Sequence, residues 1–479
     1  MSASTIRIEN KKNFESELQF IEKICSLSKY ELKIIDNDED AAYFSRGSKT
    51  FNFEREAIFE QREKDENKIS FILNNIVLVS KKFGNTSSSN NIKVDKYIDF
   101  KTTIELKEFH SEGFKTNSIF KAFFKVGLNE INTFHNEFET ITHVRDEVEY
   151  FYDCLRIKIK ETEYDVTQLK SNNEGYYIIE SLQKQNYEEF SKGCFSIQQA
   201  IGFINCLMIG DEKFVFDGCG GFYYTNNIRP MIKGMYRPII TNPYSCLEID
   251  RKTANILYKK HELTRVSLQN LSKLVHKIHM EPEFSIAILV ILEATSTKSL
   301  LIIPSSFAVI IEQLSKHFSI EESGLERPIN NKKLQEKIIT ELNIVIDDNS
   351  DSLTSDTILK LKRRLNEINK PFNKAHLTNN EKLTRPFEQI GIDLSLHDIT
   401  IIEHRNDLLH GNILIKKDNI VRDESTTNLY LSYVSAKLFT LISKLIFKSV
   451  GYSGYVYNQS KYLEKYMAIE TEEKYFEKI

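Results

Sequence analysis

The chain has no excess of positive charge and no hydrophobic run long enough to cross a bilayer. Its 64 Lys and Arg residues are balanced by 68 Asp and Glu residues, which gives a formal net charge of −4 at pH 7. This balance excludes a protein coated with basic residues, so any contact with RNA requires a local patch or two surfaces brought together by symmetry. The longest apolar run covers only residues 286–292, and a membrane helix needs roughly 20 residues. The N-terminal residues begin no apolar run either, so we expect no signal peptide and a cytoplasmic protein.

Cysteine pairs with the spacing of metal or redox sites are also missing. No two cysteines form a CxxC pair, which predicts reduced, buried thiols in a cytosolic protein. The histidines have no third ligand spaced to complete a zinc site, so we expect no metal and no cofactor. The cysteines all lie in the first half of the chain, at Cys25, Cys154, Cys194, Cys206, Cys219 and Cys246.

Length and composition predict a folded protein of two or three domains. A chain of 479 residues is too long for a single hydrophobic core. Hydrophobic residues make up 41% and charged residues 28%, unlike the composition of disordered chains. The hydrophobic period changes near residue 250, from about 2 residues to about 3.6 residues. We therefore expect an α+β protein, with a β-rich sensor or recognition domain at 1–250 and an all-α domain at 251–479.

The first half shows the alternation of strands that have one face in a core. Apolar or β-branched residues alternate with polar ones in 98–107 and again in 155–160. Turn-forming residues fill 84–91 and 217–221. The second cluster is rich in glycine but lacks a following Lys-Ser or Lys-Thr pair, so it predicts a tight hairpin rather than a phosphate loop. Further strands are predicted at 69–80, 119–126, 176–179 and 213–216, and helices at 13–27 and 196–209.

The second half follows the helical period, with short polar loops between its segments. The last predicted helix looks apolar, but three lysines interrupt it, which predicts an amphipathic helix rather than a membrane anchor. The predicted helices are 263–278, 282–294, 305–317, 331–342, 354–368, 381–390, 398–410 and 427–450.

The segment with the clearest chemistry closes the predicted helix at 398–410. We expect Asp398 to be its N-cap. A helix turns by about 100° per residue, which places Asn406 and His410 on one face and Arg405 one position around from Asn406. Histidine exchanges a proton near neutral pH, and a guanidinium group holds a phosphate through paired hydrogen bonds. Together these groups suit the metal-independent cleavage of RNA through a ribose 2′-OH.

A purely structural interpretation accounts for the same residues. Arg405 lies in an otherwise apolar stripe and would there pair with a carboxylate on a neighbouring helix. His410 would interact only with the dipole at the helix C-terminus. A separate basic run would track an RNA backbone or form an ordinary solvated face; it consists of Lys360, Lys362, Arg363 and Arg364.

The motif at 405–410 reads RNDLLH and resembles the R-polar-x3-H signature of the HEPN superfamily of α-helical ribonucleases. The resemblance is to the form that has asparagine after the arginine. Residues 291–294 resemble the early, acid-bearing helix of the ApeA-like branch, and 448–455 resemble its terminal helix and GYxG tail. The resemblance extends over roughly residues 260–460.

This resemblance implies a homodimer in which two such helices meet around one RNA cleft. His410 would act in proton transfer, Arg405 would hold the scissile phosphate, and Asn406 would orient one of them. Glu293 would order Arg405 through an ion pair or lie at the surface as an ordinary acid. His404 would assist, or would have a supporting or solvated role on another side of the helix. The products would be a 2′,3′-cyclic phosphate or 3′-phosphate and a 5′-OH, formed without a metal.

The ApeA-like branch further implies anti-phage defence by abortive infection. The substrate would then be tRNA or another cellular RNA, and a phage-derived trigger would act through the β-rich half. An alternative is a non-catalytic HEPN protein, in which Arg405 and His410 bind RNA, a nucleotide or a partner toxin. A third interpretation is a two-domain scaffold in which both residues serve packing alone.

Overall fold

The computed structural model confirms the α+β class, because an antiparallel, sheet-rich region precedes a mostly helical C-terminal part. The predicted division into domains at residue 250 stays a prediction. The structure describes residues 14–25, 31–33, 69–73, 76–92, 98–111, 113–131, 133–145, 148–171, 173–226, 229–245, 251–318, 329, 331–365, 379–409, 423–467 and 470–479.

The described strands are short except in the two long hairpins near the sheet edges. They are β1 (Glu31–Lys33), β2 (Ile69–Leu73), β3 (Ile76–Ile92), β4 (Ile98–Ser111), β5 (Asn117–Ser118), β6 (Phe120–Val126), β7 (Ile141–Arg145), β8 (Val148–Ile159), β9 (Thr162–Ser171), β10 (Glu174–Ser181), β11 (Gln185–Asn186), β12 (Leu207–Met208), β13 (Lys213–Asp217), β14 (Phe222–Thr225), β15 (Ile232–Lys233), β16 (Tyr455–Tyr457) and β17 (Phe476–Lys478).

The main sheet runs in the order β2-β3-β4-β14-β13-β6-β10-β9-β8-β7, and β1 also pairs with β4. Neighbouring strands are antiparallel, as in the pairing of Phe123 on β6 with Ile178 on β10 and with Phe214 on β13. Three two-stranded sheets accompany it, formed by β5 with β11, β12 with β15, and β16 with β17. The central strands β6 and β10 bury nearly every residue. In β8 the predicted alternation is confirmed, because Leu155, Ile157 and Ile159 are buried whereas Lys158 is exposed.

The helices of the described chain follow the predicted series, and most of their ends differ by a few residues. The helix predicted at 196–209 begins nine residues earlier, at Tyr187, and the helix predicted at 398–410 is interrupted. A helix at residue 251 and another at residue 460 were not predicted. They are α1 (Glu15–Cys25), α2 (Tyr187–Asn205), α3 (Arg251–Lys259), α4 (Leu268–Met280), α5 (Pro282–Thr297), α6 (Ile302–Phe318), α7 (Lys332–Asp348), α8 (Ser355–Leu365), α9 (Asn379–Gln389), α10 (Leu396–Glu403), α11 (Arg405–Leu409), α12 (Glu424–Ser449) and α13 (Ser460–Met467).

The two predicted turns have opposite outcomes. The glycine-rich cluster is the tight connection between β13 and β14, as predicted, and the Asp217 carboxylate accepts hydrogen bonds from the backbone N–H of Cys219 and Gly221. The predicted turn at 84–91 is wrong, because these residues lie within β3 and pair with β4. The turn preference of serine and asparagine is a local one, and pairing with a long neighbouring strand overrides it.

Of the four thiols that the structure describes, three are buried. Cys154, Cys194 and Cys206 are buried, and burial raises the pKa of the last two to about 12. Cys219 is exposed on the β13–β14 turn, so the prediction that all six are buried was wrong for this residue. The side chain of Cys25 and all of Cys246 lie outside the described residues.

One hydrophobic cluster contains side chains from the sheet region and from the helical bundle. Its aromatic centre includes Phe439 on α12, whose ring lies 6.4 Å from that of Phe203 on α2 and 5.8 Å from that of Phe307 on α6. Helix α2 also packs against α4 and α5. Helix α2 is therefore one element through which the sheet region contacts the bundle core, and α4 also packs directly against β8.

Helix α12 is buried on every side and is not amphipathic, contrary to the prediction. Two of the three interrupting lysines, Lys437 and Lys444, are themselves buried. Among the described residues it is the one helix long and apolar enough to span a bilayer, and 89% of its apolar window is enclosed by the rest of the protein. The central helix of a folded bundle has the same length and composition.

The tail after α12 packs back onto the bundle. Gly451 adopts a positive φ of 81°, as expected directly after a helix. Tyr452 is buried against Phe447, and its hydroxyl donates to the carbonyl oxygen of Thr264. The tail then forms the two-stranded β16–β17 sheet, with helix α13 between its strands, and the Tyr457 backbone N–H donates to the carbonyl oxygen of Pro238. The C-terminal residues thus contact both halves of the chain.

Candidate functional site

The predicted motif helix is two helices. Helix α10 ends at Glu403, His404 forms the junction, and α11 extends from Arg405 to Leu409. The N-cap is Ser395 rather than the predicted Asp398, which occupies the third helical position and completes a capping box with Ser395. The prediction missed this because both residue types favour caps, and Ser395 lies three residues earlier.

The structure describes Asn406 only in part and does not describe His410. Asn406 belongs to α11, but its side chain lies outside the described part of the structure. His410 and Gly411 also lie outside the described residues. The i, i+4 relation of Asn406 and His410 therefore stays a prediction, and the geometry of the site rests on Arg405 and its neighbours.

Arg405 is ion-paired with Glu312 on α6 through its Nη2 atom. The Arg405 side chain is 21% exposed and that of Glu312 is 27% exposed, so the pair lies at the surface of the bundle. Lys316, one turn along α6, donates to the other carboxylate oxygen of Glu312 at 2.8 Å. The hydrogen bonds from Lys316 and Arg405 hold the pKa of Glu312 below its usual range. Glu312 is therefore charged at neutral pH.

Helix α11 is held on α6 by two further contacts. Leu408 is buried in the bundle core, and its carbonyl oxygen accepts a hydrogen bond from the Ser305 hydroxyl at 3.4 Å. Ser305 and Glu312 share one face of α6, since residues seven positions apart lie about two turns along a helix. The short helix thus lies along this face, with Arg405 at one end and Leu408 near the other.

His404 is buried, with 1% of its surface exposed. Its Nε2 atom lies 2.8 Å from the hydroxyl oxygen of Tyr430 on α12. A second pair of the same kind joins His397 on α10 to Tyr433 on α12, with 2.5 Å between Nε2 and the hydroxyl oxygen. Burial raises the pKa of Tyr433. These contacts give His404 a supporting position in the bundle interior, away from solvent.

The first turn of α10 is fixed by a buried group of charges that the sequence did not reveal. Lys437 on α12 has no exposed side-chain surface, and its Nζ atom lies 2.7 Å from Asp398 Oδ1. The same ammonium is ion-paired with Glu473. Asn458 donates to both Glu473 and Glu477, at 3.0 and 2.6 Å. This group of residues, here called the Lys437 cluster, connects the motif segment to the C-terminal tail.

The remaining predicted site residues lie elsewhere. Glu293 on α5 contacts Arg229 at 3.6 Å, whereas the acid that pairs with Arg405 is Glu312. The basic run occupies the exposed helix α8, where two of its members pair with nearby acids: Lys360 with Asp356 and Lys362 with Asp347, each at 2.6 Å. Arg363 and Arg364 lie in the last turn of the same helix. The structure describes no direct contact between this run and Arg405.

The surface near the Arg405–Glu312 pair also includes exposed apolar side chains. Helix α6 presents Ile302 and Val309 on the same face as Glu312, and these side chains are 52% and 45% exposed. Leu301 precedes them at 57%, and Leu409 at the end of α11 is 39% exposed. Apolar side chains gathered in this way commonly mark a contact surface for another protein.

Sequence reasoning missed Glu312, Lys437 and Tyr430. Glu312 was detectable in principle, because it is the one acidic residue of α6. Lys437 is surrounded by apolar residues along the helix in both directions, which marks a lysine inside a core rather than on a wet face. The hydroxyl of Tyr430 had no comparable signal, because its partner is distant along the chain.

Within the described part of the chain, no group of three His, Cys, Asp or Glu side chains could hold a metal ion. No protein-family model matches this chain, and no curated protein or solved structure matches it.

Proposed function

We propose that this chain is an endoribonuclease of the HEPN type that cleaves cellular RNA without a metal ion, in the cytoplasm, during anti-phage defence by abortive infection. The supporting observation is the position of Arg405 at the bundle surface, where its partner Glu312 is also partly exposed. Surface ion pairs are worth only about 0–1 kcal/mol. Arg405 can therefore exchange this carboxylate for a phosphate at little cost.

The chemistry follows from the motif. One His410 takes the proton from the ribose 2′-OH, and the 2′ oxygen attacks phosphorus. The bond to the 5′ oxygen breaks, and this oxygen receives a proton from the second His410 of the dimer. Arg405 neutralises the charge on the non-bridging phosphate oxygens through its guanidinium group, and Asn406 orients Arg405 or His410. The products are a 2′,3′-cyclic phosphate and a 5′-OH.

Self-association is supported by the apolar surface beside Arg405. A dimer formed across Ile302, Val309 and Leu409 would cover these side chains and bring two Arg405 residues toward one another. Helices α7 and α8 also present apolar side chains, and no residue of either helix is buried in the single chain. A larger shared surface is thus available for a second copy.

The rival function is binding without cleavage, in which Arg405 and His410 contribute to RNA binding or dimer packing and no bond is broken. The Arg405–Glu312 pair itself is the contact that the purely structural interpretation predicts, since that interpretation pairs Arg405 with a carboxylate on a neighbouring helix.

The deciding experiment incubates purified full-length protein with total cellular RNA in EDTA and maps the fragment ends. We expect wild type to produce fragments with cyclic or 3′-phosphate ends, and His410→Ala to lower cleavage by at least about 100-fold. His276→Ala is the control, because His276 is an exposed histidine on α4. Addition of infected-cell extract supplies a trigger. If wild type binds RNA but leaves it intact even with that extract, the catalytic proposal is wrong and the rival stands.

A further inference from the structure

A cavity of about 500 Å³ lies in the sheet region, between the first turns of α2 and the strands β6 and β13. Sites for small molecules commonly measure about 300–1,000 Å³. Helix α2 lines one wall through Tyr187, Ser191 and Phe195, which follow one another at helical spacing. The cavity is separate from Arg405 in the fold, and the proposed ribonuclease activity does not use it.

Two cations at this cavity are unusually placed. Lys213 projects from β13 and is only 8% exposed, its ammonium donates to the Ser191 hydroxyl, and it lies 5.7 Å from the centre of the Tyr187 ring. Arg229 stacks on Phe195, with 5.3 Å between Cζ and the ring centre. A third cation, Lys192, also lines the cavity. Positive charge close to aromatic surface is the combination that binds a planar, anionic ligand.

The guanidinium group of Arg229 has a donor that makes no hydrogen bond within the described residues. Its Nη2 atom lies 3.6 Å from a carboxylate oxygen of Glu293, too far for a strong hydrogen bond. Its Nη1 atom is buried, and it has no hydrogen-bond partner within the described residues. A buried donor without an acceptor costs about 1–3 kcal/mol. A phosphate oxygen supplied by a ligand would remove that cost.

The cavity also contains carboxylates, which argue against a site for a simple anion. Glu188 and Asp211 line it, and Asp211 accepts a hydrogen bond from the Arg229 backbone N–H at 3.2 Å. Such acceptors suit the hydroxyl or amino groups of a ligand. Free phosphate fills only part of this volume and offers nothing to the aromatic wall formed by Phe124, Tyr187 and Phe195.

We propose that this cavity binds a nucleotide, with Arg229, Lys192 and Lys213 holding the phosphate and the aromatic wall contacting the base. A bound phosphate would compete with Glu293 for the guanidinium of Arg229. Glu293 belongs to α5, which packs on α6. Occupancy of the cavity would therefore change an ion pair that connects the sheet region to the helical bundle.

The test is isothermal titration calorimetry on the full-length protein, with AMP and UMP as probes and adenosine and inorganic phosphate as their parts. We expect a monophosphate to bind at least about tenfold more tightly than adenosine or phosphate alone, as two sets of contacts require. Arg229→Gln should weaken binding at least about tenfold. Glu293→Gln should tighten it about two- to threefold, because it removes the competing carboxylate.

Arg237→Gln is the matched control, since Arg237 also contacts one carboxylate, at 3.8 Å from Glu137, but does not line the cavity. It should leave affinity unchanged, and thermal unfolding should show that all variants fold. The proposal is overturned if folded wild type binds neither nucleotide, if phosphate or adenosine alone binds as tightly, or if Arg229→Gln has no greater effect than Arg237→Gln. Binding lost in Arg405→Gln but kept in Arg229→Gln would place the nucleotide in the bundle and overturn it as well.

Discussion

Two ionic contacts hold the motif segment, and they differ most in their exposure to water. At the start of the segment, Lys437 is completely enclosed and meets two carboxylates, of which Asp398 is 4% exposed. At its other end, Arg405 and Glu312 are each more than a fifth exposed. One contact is inside the bundle and the other is at its surface, although only a few residues of chain separate them.

Burial gives these contacts different energetic roles. Loss of one partner from a buried pair leaves an uncompensated charge and costs about 3–5 kcal/mol, whereas an exposed pair contributes about 0–1 kcal/mol. The Lys437 cluster therefore stabilises the first turn of α10 against the rest of the bundle. The Arg405–Glu312 pair, being partly exposed, contributes less to the fold. The buried contacts of Lys437 thus serve stability, whereas the partly exposed Arg405 is the residue with the proposed function.

The largest expected effect comes from Lys437→Met. Methionine keeps the length of the side chain but leaves Asp398 and Glu473 buried without their cation, so the free energy of unfolding should fall by about 3–5 kcal/mol. Urea unfolding at pH 7 measures this loss in the free energy of unfolding. Lys448→Met, at a partly exposed position on the same helix, should change stability by less than about 0.5 kcal/mol. Equal losses in the two variants would contradict a structural role for the cluster.

The contrast between these two contacts also explains what could be predicted from sequence. The period of 3.6 residues identifies the helices well, because it depends on residues a few positions apart. Lys437 was predicted to interrupt an amphipathic helix, since its partners Asp398 and Glu473 lie far away along the chain. The apolar neighbours of Lys437 indicate a buried lysine, but a single sequence does not name its partners. For the same reason Glu312 could be noted as the one acid of α6 but not identified as the partner of Arg405.

Local signals were most misleading where tertiary pairing decides the structure. The motif was predicted on one regular helix, but the helix is interrupted at His404, whose ring is hydrogen-bonded to Tyr430 on α12. Similarly, the polar residues at 84–91 form part of β3 because β4 pairs with them. The chemistry of the RNDLLH segment was detectable from residue types alone, whereas its surroundings were not.

The second prediction concerns pH and separates the buried contact from the exposed one. Burial raises the pKa of Asp398, but the charges of Lys437 and Lys444 outweigh it, so the pKa lies below its usual range. A lowered folded pKa adds stability above the unfolded value, near 3.9, and that stability is lost as pH falls through the folded value. Wild type should therefore lose stability on acidification below about pH 5.

In Lys437→Met, burial of Asp398 is no longer opposed by that cation, so acidification should relieve the buried charge. The difference in unfolding free energy between wild type and Lys437→Met should shrink from pH 7 to pH 4. Urea titrations at several pH values measure this difference. If the difference in unfolding free energy stayed constant from pH 7 to pH 4, Asp398 would not be the carboxylate whose pairing with Lys437 stabilises the fold.

The smallest expected effect on stability comes from Glu312→Gln. Because the pair is partly exposed, the free energy of unfolding should change by less than about 1 kcal/mol. Affinity for a non-cleaved RNA, measured with His410→Ala in the background, should rise, since Arg405 loses a competing anion. Glu336→Gln is the control, because Glu336 pairs with Lys332 at the surface of α7.

A loss of several kcal/mol in Glu312→Gln, with no gain in RNA affinity, would place Arg405 in the same class as Lys437. Both ends of the motif segment would then be scaffolding, and the ribonuclease proposal would lose its main support. A small loss with tighter RNA binding would instead identify Arg405 as a phosphate-binding group. Replacement of the Glu312 carboxylate on α6 therefore tests whether Arg405, unlike the enclosed Lys437, can bind a phosphate.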